Sequence, residues 1–147
     1  TLNRYDKFLS KYLPKYLNNK YIDEIIVCDE NGNDKKKIDR NFPNTKIKTY
    51  KNNTKLGPFH NKLKVCSLAN NEWICLMDSD NFAGEDYFKA LMKYIESHTI
   101  KDYTILAPSF AKPRFDYRSM EGWVVNKLSL GMYLKKDKKK RIYHCFK

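Results

Sequence analysis

Asp78 and Asp80 stand two positions apart, directly after the apolar run Ile74-Cys75-Leu76-Met77. In an extended segment residues i and i+2 point the same way, so the two carboxylates can address one ligand while Ser79 turns aside. Two carboxylate arms suit a hard divalent cation held through oxygen, Mg2+ or Mn2+, more than zinc. Such a cation would in turn neutralise a diphosphate. The same tetrapeptide, Asp78-Ser79-Asp80-Asn81, also fits an Asx-type turn that caps the next helix. Asp29 repeats the pattern, following Ile25-Ile26-Val27-Cys28 and opening the turn-forming stretch Asp29-Glu30-Asn31-Gly32-Asn33-Asp34.

Positioning these acids requires strands that end where they begin. Ile22 to Cys28 and Glu72 to Met77 are nearly continuous in apolar residues, as strands covered on both faces are. Shorter strands are expected at Lys46 to Tyr50 and Tyr103 to Ala107. Between them the pattern turns helical. Tyr5, Phe8, Leu9, Tyr12, Leu13, Tyr16 and Leu17 recur on one helical face, with Pro14 expected to kink or split that helix near Leu13. Gly57-Pro58 opens a helix to about Asn70, with Phe59, Leu63, Cys66 and Ala69 inward. Gly84 to His98 forms another, with Glu85 and Asp86 at its positive end and Tyr87, Leu91 and Ile95 on one face. Alternating helices and buried strands imply an α/β fold with a mostly parallel central sheet flanked by helices on both faces. In such sheets ligands bind at the carboxyl ends of the strands, which would bring Asp29, Asp78 and Asp80 to one rim.

The 147 residues suit one domain, and 41% hydrophobic content argues against wholesale disorder. Neither an apolar leader core in TLNRYDKF nor a membrane-length apolar stretch is found, so the chain reads as cytoplasmic. Cys28, Cys66, Cys75 and Cys145 form no CxxC pair and read as reduced core residues. Asn52-Asn53-Thr54 fits a glycosylation sequon, which matters little without a secretory signal. Lys and Arg outnumber Asp and Glu by 29 to 17. That surplus can steer the domain toward polyanions or simply solvate a lysine-rich surface. The runs Lys35 to Lys37 and Lys135 to Arg141 lack the interleaved aromatics of a single-strand groove, so nucleic acid is not the expected partner. Lys135 to Arg141 could meet a phospholipid-linked acceptor or a membrane face, or remain a solvated tail. His60, in a first helical turn, could approach an anion or be merely exposed.

Taken together, four segments resemble the nucleotide-sugar-binding half of the GT-A glycosyltransferases, most closely family 2. Thr1-Leu2-Asn3-Arg4 is similar to the end of that family's first strand, TYNR. Glu24 to Asp34 is similar to EIIVVDDGSxD, with Asp29 at the base-contacting position and Asp34 at the later acid. Gly57 and Lys62 fall at the spacing of the Gly and Arg in GxxxARN, and Ala69 fits the small residue further along. Glu72 to Asp80 is similar to EYIxFLDSD, the DXD motif. The resemblance implies a GT-A, Rossmann-like domain in which Thr1, Asn3, Arg4, Asp29, Lys62, Asp78, Ser79 and Asp80 bind a nucleoside diphosphate sugar, preferably a UDP-sugar. Asp78 would meet the ribose or a metal-bound water and Asp80 the Mn2+ or Mg2+, with transfer to an acceptor hydroxyl by inversion. Departures are Asn31-Gly32 for Gly-Ser, Lys55 for an Asn before the helix glycine, and Lys62 for Arg, which gives up the bidentate fork.

The resemblance covers about residues 1–107, the nucleotide-sugar-binding part of a single domain over 1–147. Residues 108–147 would then be a partial acceptor-side segment. No Glu-Asp pair follows Asp80 to serve as the general base, which leaves Glu121, beside Trp123, as the candidate; a surface acid beside a core tryptophan is the plainer reading. The opening at the tail of a strand suits a domain cut from a longer protein or a trimmed one. Two further classes remain open. A nucleotidyltransferase would carry a Gly-rich, Lys/Arg-bearing loop after its first strand, which is absent here, and a polyanion-binding module would bind with steep salt dependence and indifference to Mn2+.

Overall fold

Four β-branched or apolar residues in succession, Ile25 to Cys28, build β1 (Ile25–Asp29), which pairs in parallel with β2 (Ile47–Lys51). Ile25 lies opposite Ile47 and Asp29 opposite Lys51. The computed structural model that shows this describes residues 1–101, 104 and 106, and the backbone of 110–111, 115–116 and 141–144. Thr1 adds a rung on the other side of β1: its N donates to the Cys28 carbonyl at 2.6 Å, and its own carbonyl accepts from Glu30 N at 3.0 Å. Those two bonds are the parallel pattern expected of a strand's tail.

Strands in parallel need a crossover, and α2 (Asn33–Asn41) supplies it between β1 and β2. Periodicity did not predict this helix, because Ile38 is its only apolar residue. That one side chain suffices: Ile38, 1% exposed, closes a core with Tyr5, Leu9 and Leu13, against which Ile25, Val27, Phe42 and Ile47 pack. Alternation along β1 sends Ile26 and Cys28 to the opposite face.

The first helical segment begins as a π-helical stretch, Tyr5–Leu9, in which Leu9 N reaches back to the Arg4 carbonyl, and continues as α1 (Ser10–Leu17). The split that Pro14 could impose near Leu13 does not occur. Pro14 sits inside α1, and the irregular winding lies upstream of it. Pro14 removes one amide donor, yet the helix runs on because Leu13 is anchored in the core at 2% exposure.

α3 (Gly57–Ser67) starts at Gly57-Pro58 as expected and packs against β1. Burial fades toward its N-terminus: Cys66 and the following Ala69 are buried, Leu63 is half-buried, and Phe59, expected inward, is exposed. A helical stripe is covered only where a neighbour lies against it, and the sequence spacing marks the stripe without marking the neighbour. α4 (Glu85–Ser97) buries Phe88 and half-buries Tyr87, Leu91 and Ile95.

The chain divides into two compact units, Thr1–Asn71 with Met77–Thr99, and Glu72–Leu76 with Ile100–Lys147. In the second, β3 (Trp73–Leu76) pairs in parallel with β6 (Arg141–His144), and β4 (Phe110–Ala111) pairs antiparallel with β5 (Phe115–Asp116). Cys75 of β3, read from sequence as packing, is exposed while Leu76 beside it is buried. The strand expected at Tyr103 to Ala107 falls largely outside the described residues, as do Glu121, Trp123 and the basic run from Lys135 to Lys140. Among the described residues no helix is long and apolar enough to cross a membrane.

Candidate functional site

Where β1 ends, the chain must turn sharply into α2, and Asp29 organises that turn. Its carboxylate is 0% exposed; Oδ1 accepts from Asn31 N at 3.3 Å and Oδ2 from Lys35 N at 2.9 Å, inside the first turns of α2. Gly32 adopts φ 86°, the left-handed conformation open to glycine at little cost. Asn31 Oδ1 accepts from Asn33 N at 3.0 Å, closing an Asx turn. Asp29 was expected at an open rim. It lies instead beneath one, facing backbone amides. The exposed polar groups above it are Asn31 and Asn33, whose Nδ2 atoms donate to Asn3 Oδ1 at 2.9 and 3.0 Å.

Asp34 joins this loop to the start of the chain. Its carboxylate, 2% exposed, accepts from Thr1 Oγ1 at 2.6 Å, Arg4 N at 2.9 Å and Tyr5 N at 2.9 Å. An acid at that place satisfies amides at the head of the first helical segment and lies at the positive end of its dipole. The sequence identified Asp34 only as the later acid of a motif; a cap supplied from 29 or 30 positions away leaves no local signature.

Beyond α3 the segment Asp78-Ser79-Asp80 closes a turn, with Asn81 N donating to the Asp78 carbonyl at 3.0 Å. Each of its carboxylates faces a cation. Lys62 Nζ of α3 lies 2.9 Å from Asp78 Oδ1, and Arg4 Nη2 lies 3.9 Å from Asp80 Oδ2. Ser79 is half-buried between them in sequence. The residues that follow dock on the first helical segment: Phe82 stacks on Tyr16 at 5.5 Å and meets Tyr12 at 5.0 Å, and Ala83 N donates to Tyr16 Oη at 3.1 Å. Aromatic packing of this kind positions Asp80 relative to Arg4.

Other polar groups that sequence reasoning missed brace the same unit. Glu30 Oε2 accepts from Leu56 N at 2.8 Å, at the entry to α3. Buried Asn52 receives Lys64 Nζ at 2.8 Å on its Oδ1 and donates through Nδ2 to Asn61 Oδ1 at 2.8 Å. Asn61 Nδ2 in turn donates to the Cys28 carbonyl at 3.2 Å, tying α3 to the end of β1. Burial pushes the Cys28 thiol up, opposed by the charge of Lys64, so this cysteine is held as a neutral core residue.

Of the residues singled out from sequence, Thr1, Arg4 and Asp80 are linked through Asp34 and the Arg4 contact, and Lys62 and Asp78 pair with each other. Asn3 lines the neighbouring rim, Asp29 supports it from below, and Glu121 lies outside the described residues. No group of three or more His, Cys, Asp and Glu side chains gathers among the described residues. Asp78 and Asp80 are two hard oxygen donors. Mg2+ and Mn2+ are commonly held by one or two carboxylates together with substrate phosphates, so this donor set fits such an ion when a diphosphate completes it.

Residues 1–146 match the family model described as glycosyl transferase family 2. Neither the curated proteins nor the solved structures contain a match to the chain.

Proposed function

The chain belongs to glycosyl transferase family 2, and we propose that Asp78, Asp80, Lys62 and Arg4 form its donor site for a nucleoside diphosphate sugar. Membership makes the chain a glycosyltransferase of GT-A type, with a nucleotide-sugar donor and an acceptor as its substrates. The observation that carries the site is the pairing of each carboxylate with a cation, Lys62 on Asp78 at 2.9 Å and Arg4 on Asp80 at 3.9 Å, with Asn3, next to Arg4 in the chain, joined to Asn31 and Asn33.

In this reading Asp78 and Asp80 would hold Mn2+ or Mg2+, which would supply positive charge against the leaving diphosphate. Lys62, at a half-buried place where screening is reduced, and Arg4, at an exposed one, add two further cations on the same group. Asn3, Asn31 and Asn33 offer amide donors and acceptors to the base and ribose, and Asp29 serves the base by fixing the loop that carries two of them. The acceptor hydroxyl oxygen attacks the anomeric carbon as the bond to the diphosphate oxygen breaks, with inversion. Glu121 is assigned as the base that takes the hydroxyl proton. A UDP-sugar is the preferred donor.

Calorimetric titration with UDP, GDP and dTDP, each with Mn2+ and with EDTA, tests the site alongside Asp80→Ala. One nucleotide should bind in Mn2+ and fail to bind in EDTA or in the variant. Nucleotide binding that survives Asp80→Ala overturns the metal assignment.

A further inference from the structure

Asp78 and Asp80 carry like charges two positions apart, an arrangement that repels unless each is neutralised. In the structure each is, by Lys62 and by Arg4. The pairs are unequal: Lys62 and Asp78 are 28% and 23% exposed at 2.9 Å, whereas Arg4 and Asp80 are 45% and 39% exposed at 3.9 Å. Two cations and two carboxylates balance one another in charge.

That balance constrains what can enter. A divalent cation arriving alone must share the carboxylates with Lys62 and Arg4 and leaves the site with surplus positive charge. A diphosphate arriving alone meets Asp78 and Asp80 and leaves surplus negative charge. Together they restore neutrality, and Lys62 and Arg4 then find a new anion within reach of the carboxylates they leave. We infer that Lys62 and Arg4 are exchangeable counter-ions, paired with Asp78 and Asp80 before the donor binds and transferred to the donor's diphosphate when it binds with its metal ion. The exchange makes metal and nucleotide binding mutually dependent, each raising the affinity for the other by the same factor. This deepens the donor-site reading and rests on it. Lys62 carries the larger share because its pair is shorter and more sheltered.

The test is Mn2+ titration of the protein followed by the resonance signal of free Mn2+, and UDP titration by calorimetry with and without Mn2+, on the wild type, Lys62→Met, Lys62→Arg and Arg4→Met. Lys62→Met should bind Mn2+ alone about three- to tenfold more tightly, as expected on removing a partly sheltered competing cation. It should bind UDP in saturating Mn2+ more weakly, by about tenfold. Lys62→Arg should return the Mn2+ affinity to that of the wild type. Arg4→Met, at an exposed position, should show the same opposed changes at smaller size, and serves if Lys62→Met does not fold. Unchanged Mn2+ affinity in folded Lys62→Met, with weaker UDP binding, would mean that Lys62 touches only the diphosphate and overturns the exchange. Absence of Mn2+-dependent UDP binding in the wild type would instead overturn the donor-site reading itself.

Discussion

Asp34 Oδ1 accepts the amide of Tyr5 at 2.9 Å across 29 positions of sequence, so the head of the first helical segment is capped from the second helix of the fold. The same carboxylate holds Arg4 N, and Arg4 reaches Asp80. A single buried acid therefore connects the integrity of the core to the placement of Arg4, a cation of the proposed donor site.

Asp34→Ala should destabilise the protein by about 2–4 kcal/mol, since two backbone amides and a hydroxyl lose their acceptor in a buried place. Urea denaturation checks this, and a loss below about 0.5 kcal/mol would show that water replaces the carboxylate without penalty. In the folded fraction, nucleotide binding should weaken as well because Arg4 is no longer held.

Gly32→Ala should cost about 1–2 kcal/mol, because φ at this position is 86° and an L side chain there is strained. A Cβ would also stand 2.9 Å from Lys51 Cδ, but the lysine chain is flexible and can shift, so the backbone sets the cost. A thermal melt that equals the wild type would refute this account of the loop.

Burial opposes ionisation of Glu24, but the hydrogen bonds from Asn70 N, Lys48 Nζ and Asn70 Nδ2 outweigh it and hold its carboxyl below the ordinary glutamate range. A depressed value in the folded state contributes stability above the unfolded value of about 4.3, which is lost as pH falls through the folded value. Glu24→Gln should therefore be less stable than the wild type at pH 7, by roughly 0.5–1 kcal/mol given the exposed Lys48 partner. The gap should close in denaturation series run well below pH 4.3. A gap independent of pH would assign the loss to packing alone.

Cys75 is exposed, whereas Cys28 and Cys66 are buried and burial raises the Cys28 thiol. Brief alkylation of the folded protein followed by peptide mapping should label Cys75 and leave Cys28 and Cys66 unmodified until denaturant is added. Early labelling of Cys28 would mean that the end of β1 opens readily.

Several features were legible in the sequence because they obey local rules. β1 and β3 follow from runs of β-branched and apolar residues, and α3 and α4 from spacing and from Gly57-Pro58 or Glu85-Asp86 at their heads. Motif order sufficed to identify the family, since it needs only residue type and spacing. Tertiary structure decided the rest. α2 exists because one residue, Ile38, meets Tyr5, Leu9 and Leu13, and no periodicity can register a single apolar side chain. Phe59 and Cys75 sit in the right elements and are exposed, because a pattern marks a stripe while tertiary packing sets how much of it is buried. Asp29 and Asp34 look alike on paper as acids at the two ends of one loop. Folding puts both beneath the surface on backbone amides, while Asp78 and Asp80 stay partly exposed against Lys62 and Arg4, since hydrogen-bond partners from distant segments determine which carboxylates are buried.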